Sequence, residues 1–361
     1  MEDIDLYGDM SIHLTMLDLK EAIGSVDKKN MLGAIESLPK QLSEGIRRGR
    51  SSGFSRFSPA EVIVCGVGGS AIGGDLLREW LEATSSIKCE VCRSYSLPAH
   101  AGKDSLAIVA SYSGNTEETL SMFEDAKRKR AKIVTISSGG RLSKATVAEG
   151  IPLAKIPTGV MPRASLGYMF GALVGVLERS GIVPPDKQVE ETVRVLNKVI
   201  SSSKPSVPTA DNETKILAHR LFPLIPLVIG YGLSGPVAKR WVNQFNENSK
   251  VLAFGASLPE FDHNEIVGWM LDPRTRGFSS IFLNHADAKS PMQRRIAATK
   301  TMISRVATAC EVNSLGASPM AKMFSLVLIG DYVSAYLGIL RNQDPSSNEP
   351  IDELKSTLSE K

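Results

Sequence analysis

Leu106-Ala107-Ile108-Val109-Ala110-Ser111-Tyr112-Ser113-Gly114-Asn115-Thr116-Glu117-Glu118-Thr119 passes from an unbroken aliphatic run, through a glycine, into a helix-forming one. A short apolar run bounded by turn residues reads as a strand buried on both faces, as in a parallel sheet. The Ser and Thr hydroxyls at 111, 113, 116 and 119 exceed what one helix cap needs. A helix N-terminus presents unpaired N–H groups and the positive end of its dipole, so hydroxyls gathered there describe an anion cradle built without a lysine. A phosphorylated small molecule is the expected ligand. The plain alternative is an ordinary capped helix with glutamates in its first turn.

Working outward, Glu61 to Gly66, Lys88 to Arg93 and Lys132 to Ser137 also read as strands, with helices after Ala71 and Thr116. This alternation predicts an α/β fold, a mainly parallel sheet flanked by helices. A second cycle follows, with strands at Ile225 to Gly230, Val251 to Ala256 and Ser279 to Asn284, and helices at Pro236 to Asn246, Met292 to Ala309 and Lys322 to Leu340. Gly66-Val67-Gly68-Gly69-Ser70 and Gly230-Tyr231-Gly232-Leu233-Ser234 both read G-x-G-x-S between a strand and a helix, which predicts two related αβα halves. The expected division is a helical extension over 1–58 packed on the core, a first domain over 59–200, a Ser/Pro-rich linker over 201–215 and a second domain over 216–361.

With 361 residues and 42% hydrophobic content, the chain is long and apolar enough for two packed domains. A net charge of +3 over 42 basic and 39 acidic residues gives no one-sided field, so no nucleic-acid partner is expected. Lys127-Arg128-Lys129-Arg130 reads as the solvated end of a helix. No apolar run reaches the roughly 18 residues that span a bilayer, and Glu2, Asp3 and Asp5 are unlike a basic signal-peptide start. No membrane is expected, and a cytoplasmic protein is. Four cysteines make no disulfide framework, and Cys89 and Cys92, though C-x-x-C, lie in an alternating strand with no second ligand pair nearby. They are read as buried thiols.

Gly66-Val67-Gly68-Gly69-Ser70-Ala71 also fits the dinucleotide fingerprint G-x-G-x-x-A, with Glu90 placed as a ribose-binding acid at the end of the second strand. A nicotinamide-dependent oxidoreductase is therefore one alternative. Against it stands the second, hydroxyl-rich loop after the third strand, which a dinucleotide fold does not need. Two loops at the carboxyl edge of one sheet suit a small sugar phosphate.

Five blocks carry a resemblance: Gly66 to Asp75, Ser111 to Thr119, Pro162-Arg163-Ala164-Ser165-Leu166-Gly167-Tyr168, Asn243 to Lys250, and Pro259 to Trp269. In them the chain resembles the sugar isomerase (SIS) domain family, and more closely the bifunctional phosphoglucose/phosphomannose isomerases of archaea and some bacteria. The resemblance implies two SIS domains and interconversion of glucose 6-phosphate, and of mannose 6-phosphate, with fructose 6-phosphate. It implies that Ser111, Ser113 and Thr116 bind the phosphate, that Gly68, Gly69 and Ser70 line the sugar, and that Arg163 sits beside the enediolate. It further implies Glu247 as the base, His263 as the ring opener and Lys355 as the lysine assisting at the ring oxygen. Before that lysine the family has Asp-Pro-Thr, its threonine associated with accepting mannose; this chain has Asp344-Pro345-Ser346-Ser347. The family's ring-opening histidine reaches in from a partner subunit, so a homodimer with sites at its interface is implied. A non-catalytic sugar-phosphate-binding protein is the other alternative.

The chemistry asks for these residue types. Moving a proton between adjacent carbons through a cis-enediol needs one carboxylate near neutrality, and burial can raise a glutamate to suit. Glu247 reads equally as a helix-end glutamate in an Asn-rich turn, and the resemblance decides between the two. Opening a closed hexose needs a donor titrating near neutrality, and His263, with Asp262 and Glu265 beside it, is one of five histidines. His13, His100, His219 and His285 lack comparable company. A guanidinium such as Arg163 stabilises charge growing on enediolate oxygens. No net redox change or phosphoryl transfer occurs, so neither cofactor nor metal is expected. The apolar helix Phe324 to Leu340 is expected to pack within the chain or against a partner.

Overall fold

Aliphatic runs between glycine turns build two parallel sheets in the computed structural model, which describes residues 16–185, 187–286 and 290–359. β1 (Glu61–Cys65), β2 (Lys88–Cys92), β3 (Ser105–Ser111), β4 (Lys132–Ser137) and β5 (Leu153–Lys155) lie in the order β2-β1-β3-β4-β5. All seven residues of β3 are buried, as both-faced helix cover requires. The second sheet has the order β7-β6-β8-β9, from β6 (Ile225–Gly230), β7 (Phe254–Ser257), β8 (Phe278–Asn284) and β9 (Thr308–Asn313). Every adjacent pair in both sheets is parallel. The α/β architecture with a sheet in each half is the one read from the sequence.

Strand order positions the site. From β1 the chain goes to one side for β2, then crosses back to lay β3 on the other. The connections after β1 and β3 thus leave a crevice at their carboxyl ends, where open α/β sheets bind ligands. β6 and β8 repeat this arrangement, and the two G-x-G-x-S loops follow the equivalent strands β1 and β6.

Contacts divide the chain into two compact units. One holds the five-stranded sheet and comprises Ser37–Asn197 and Leu315–Ser325; the other holds the four-stranded sheet and comprises the described residues before Ser37, Lys198–Ser314 and those from Leu326 onward. These differ from the linear segments expected. The N-terminal stretch is split: helix Leu38–Arg50 lies along helix Leu166–Ser180 within the first unit, whereas helices Lys20–Val26 and Met31–Glu36 belong to the second. Residues 1–15, His13 among them, lie outside the described residues. Small residues explain the first association. A Cβ on Gly45 would lie 2.6 Å from the Tyr168 carbonyl, and one on Gly171 would lie 2.5 Å from that of Leu42, so the backbones touch where any side chain would part them. Lys215 anchors the other end: fully buried, it donates to the carbonyls of Leu17 (2.7 Å), Pro205 (2.9 Å) and Val207 (2.8 Å) and to the Asp18 carboxylate (3.0 Å).

The sequence reading missed β5 and β9. The helix expected to reach Ala309 stops at Ile303, because Val306 and Thr308 are β-branched and Thr308–Asn313 suits the half-buried edge beside β8. The strand expected from Val251 begins only at Phe254. Within the expected linker, Ser201 to Ser203 finish helix Gln188–Ser203, and Asn212 caps helix Glu213–Leu221 by accepting from the N–H groups of Thr214 and Lys215. One helix, Pro319–Leu340, is after all long and apolar enough to cross a membrane, with a mean hydropathy of 1.7, but 94% of that window is buried inside the chain. It is a core helix, which settles the choice left open between packing within the chain and against a partner. The basic run behaves as read: Lys127 pairs with Glu124 and Glu149, Arg128 with Asp125. All four cysteines are free, Cys65 and Cys92 buried.

Candidate active site

At the β1/β3 crevice, two helices present uncapped N-termini. Helix Glu117–Arg128 has Thr116 at its N-cap, yet no side chain accepts from its first turn. The Thr116 hydroxyl instead lies 3.1 Å from that of Ser111, which in turn accepts from the Gly114 N–H (3.1 Å). Helix Gly68–Thr84 is likewise uncapped, and the Ser70 hydroxyl at its start accepts from the Tyr112 N–H at 3.3 Å, joining the glycine loop to the hydroxyl loop. Ser113 is exposed and accepts from the Asn115 N–H (3.3 Å). N–H groups of a helix start, left without side-chain acceptors and surrounded by hydroxyls, are the arrangement an anion needs.

A third loop braces this cradle, and the sequence reading overlooked it. Ser138 donates to the Tyr112 carbonyl (2.7 Å), and the Leu142 N–H donates to the Gly114 carbonyl (2.8 Å). Gly114 has φ +69°, and a Cβ there would strike the Gly139 carbonyl, so only glycine serves. The signal was present as Ser137-Ser138-Gly139-Gly140 at the next strand-to-helix turn.

Arg163 joins the same unit's crevice through its backbone. It lies in the tight turn Pro162–Ala164, is 3% exposed, and its Cα is 3.7 Å from where a Gly69 Cβ would stand. The surface-arginine alternative therefore falls away. Glu90 does not stand at the end of β2; it is the middle residue, its carboxylate meets His100, and the strand is followed by Arg93, which pairs with Asp75. The acid that the dinucleotide reading needs is absent from its place.

Glu247, His263 and Lys355 belong to the other unit. Glu247 sits half-buried in a π-helical turn, Phe245–Ser249, that ends helix Gly235–Gln244; such wide turns are rare and frequent at functional sites. Its neighbours fix it: the Asn248 amide donates to the Ser334 hydroxyl (3.0 Å), and Ser249 donates to the Ser334 carbonyl (2.6 Å). Lys250, left-handed at φ +53°, donates to the carbonyls of Glu247 (2.7 Å), Asp344 (2.8 Å) and Ser347 (3.1 Å). This ammonium holds the Asp344-Pro345-Ser346-Ser347 segment against the glutamate turn, a function no sequence signal announced. Ser346 is buried, and its hydroxyl finds no hydrogen-bond partner among the described residues. Lys355 is exposed on helix Glu349–Ser359.

His263 ends the short turn Glu260–His263 and is exposed. Asp262 was expected to support it, but its two carboxylate oxygens accept from Arg295 (2.9 Å) and Thr299 (2.9 Å). Two other histidines do have company. His285 stacks on Tyr231 at 4.3 Å just beyond the carboxyl ends of β8 and β6, with the Tyr231 hydroxyl donating to Asn284 (2.9 Å). His100 meets Glu61 and Glu90.

Two parallel sheets, each with a glycine loop at its switch point and one with a hydroxyl-lined loop beside it, give the α/β architecture of a double SIS-domain protein. Residues 210–358 match the model for the bacterial phospho-glucose isomerase C-terminal SIS domain. The chain is 39% identical over 338 residues to a bifunctional phosphoglucose/phosphomannose isomerase of Caldicellulosiruptor bescii, covering 91% of this chain and 99% of that one. It is 34% identical over 302 residues to the enzyme of the same name in Aquifex aeolicus, covering 82% and 90%. A crystal structure of a hypothetical protein from Thermus thermophilus superposes with a TM-score of 0.72 at 16% identity, covering 97% and 95%, which speaks for the fold alone. The chain belongs to the bifunctional phosphoglucose/phosphomannose isomerase family.

Proposed function

We propose that this protein interconverts glucose 6-phosphate and mannose 6-phosphate with fructose 6-phosphate through a cis-enediolate. The observation that carries the reading is the uncapped start of helix Glu117–Arg128, ringed by Ser111, Ser113 and Thr116, in a chain of this family. The phosphate binds there, with Gly68, Gly69 and Ser70 along the sugar. His263, assisted by Lys355 at the ring oxygen, opens the ring. Glu247 then removes the proton from C2 and returns it to C1, while Arg163 stabilises the negative charge on the enediolate oxygens. Ser346, in the family's threonine position beside the glutamate turn, offers a hydroxyl for the mannose epimer. The net change is an isomerisation, balanced within the substrate.

Thr116→Val is the direct test of the cradle. A hydrogen bond to a charged group is worth about 1.5–3 kcal/mol, so binding of fructose 6-phosphate weakens roughly 10- to 100-fold in calorimetry, with the melting temperature little changed. Unaltered affinity would remove the cradle from the reading. The non-catalytic alternative predicts the same calorimetry with no turnover in a coupled assay.

We also propose a homodimer through the surface that carries His263. Leu252, Phe254, Val267 and Leu271 are 68, 49, 59 and 78% exposed, helix Glu265–Leu271 buries none of its residues, and β7 is the open edge of its sheet. An apolar patch on an exposed sheet edge is what a second copy covers. Leu271→Asp is expected to sediment as a monomer and to lose activity with the dimer. A wild-type protein that sediments as a monomer would refute the proposal.

A further inference from the structure

Away from the cradle, at the amino-terminal edge of the first sheet, Glu61, Glu90 and His100 converge. Glu61 and Glu90 lie on one face of the sheet because Ile63 and Glu90 are register partners and Glu61 is two residues before Ile63. His100 comes from the loop between β2 and β3. Its Nε2 is 3.0 Å from Glu61 Oε2 and 3.5 Å from Glu90 Oε2, and one ligand atom from each of the three residues falls within 4.8 Å of the others.

We propose that these three side chains bind a divalent transition cation, with zinc the best fit. Zinc bonds of about 2.0–2.1 Å in a tetrahedron set ligand atoms about 3.3 Å apart, which the two distances from His100 bracket. One imidazole N–H carries a single hydrogen and satisfies one carboxylate at most; a cation satisfies all three groups together. The outer partners are in place as well. Ser105 donates to the second Glu61 oxygen, Oε1, at 2.8 Å, and itself accepts from the Gly102 N–H at 3.0 Å, leaving Oε2 aimed at His100. His100 and Glu90 are about half exposed, so the fourth position is open to water and the ion has an entry path.

Cys89 lines the same cleft but is not a ligand. The strand alternation turns it to the opposite face from Glu90. The role is structural. Glu61 opens β1 whereas the glycine loop follows its last residue, about 13 Å along the strand at ~3.3 Å per residue. The ion would tie β1, β2 and the loop before β3 at the edge opposite the cradle, and the inference stands independently of the isomerase reading.

The test titrates untagged, chelator-treated protein with zinc by calorimetry and with cobalt by visible absorption. One equivalent per chain is expected, with the ligand-field bands of an N/O site and a raised melting temperature. His100→Ala and Glu61→Gln each lose that binding, Ser105→Ala weakens it roughly 10- to 100-fold, and Cys89→Ser leaves it intact. Circular dichroism on the metal-free variants establishes that each is folded. Absence of saturable binding, binding that survives His100→Ala, or binding lost in Cys89→Ser would each overturn the proposal.

Discussion

Glu247→Gln is expected to fold normally and to lose roughly 10²–10⁴-fold in kcat on both aldose phosphates, the usual worth of a positioned general base. The amide matches the carboxylate in shape but cannot accept the C2 proton. The fold survives because the turn is held by neighbours, with Asn248 and Ser249 on Ser334 and Lys250 on three carbonyls. A coupled assay in deuterated water reads both the rate and the exchange of the migrating hydrogen. Binding of fructose 6-phosphate by calorimetry is expected to change little, which separates a lost base from a lost pocket. A variant retaining wild-type kcat and exchange would leave the chain without its proposed base.

Arg240→Ala should produce the largest loss of stability, about 3–5 kcal/mol in urea unfolding, because it strands a buried charge. Arg240 and Asp331 are 3 and 4% exposed and pair in a bidentate fork, Nε to Oδ1 at 3.0 Å and Nη2 to Oδ2 at 2.7 Å, with Gln244 also donating to Oδ1 at 3.0 Å. Burial pushes the Asp331 carboxyl up, and the guanidinium opposes it. With Arg240 gone, the acid either protonates or remains charged and dry, and both cost stability. The double change Arg240→Met with Asp331→Leu removes both charges and is expected to recover most of the loss. A single variant within about 1 kcal/mol of wild type, an effect of surface size, would show the pair to be energetically idle.

How far the sequence disclosed this protein depended on whether a signal was local. Leu106 to Thr119 held both the central strand and the hydroxyl-rich loop before the next helix in one uninterrupted stretch, so fold class and the residues proposed for the phosphate were legible together. Thr308 and Ala309, where the edge strand Thr308–Asn313 begins, read as the tail of a helix because an edge strand is half exposed and lacks a continuous apolar run. The compact units escaped a linear reading because they depend on contacts far apart in the chain, such as Gly45 against Tyr168 and Lys215 against Leu17. The clamp by Lys250 joins positions 94 residues apart, and a lysine at a turn gives no hint of it. His100 seemed solitary for the same reason: Glu61 is far away in sequence and adjacent only through the register of parallel strands. Glu247 and His263 drew their roles from family resemblance, since a half-buried glutamate and an exposed histidine carry no periodic signal.

The central claim is that a phosphate held by the N-terminal hydroxyl loop presents a hexose to a carboxylate from the C-terminal half. A crystal structure of the full chain with fructose 6-phosphate tests it most directly. The expected result is phosphate oxygens on Ser111, Ser113, Thr116 and the first N–H groups of helix Glu117–Arg128, with the Glu247 carboxylate about 3–3.5 Å from C1 and C2. Sugar phosphate bound elsewhere, or Glu247 remote from those carbons in every copy and every subunit pairing, would contradict it.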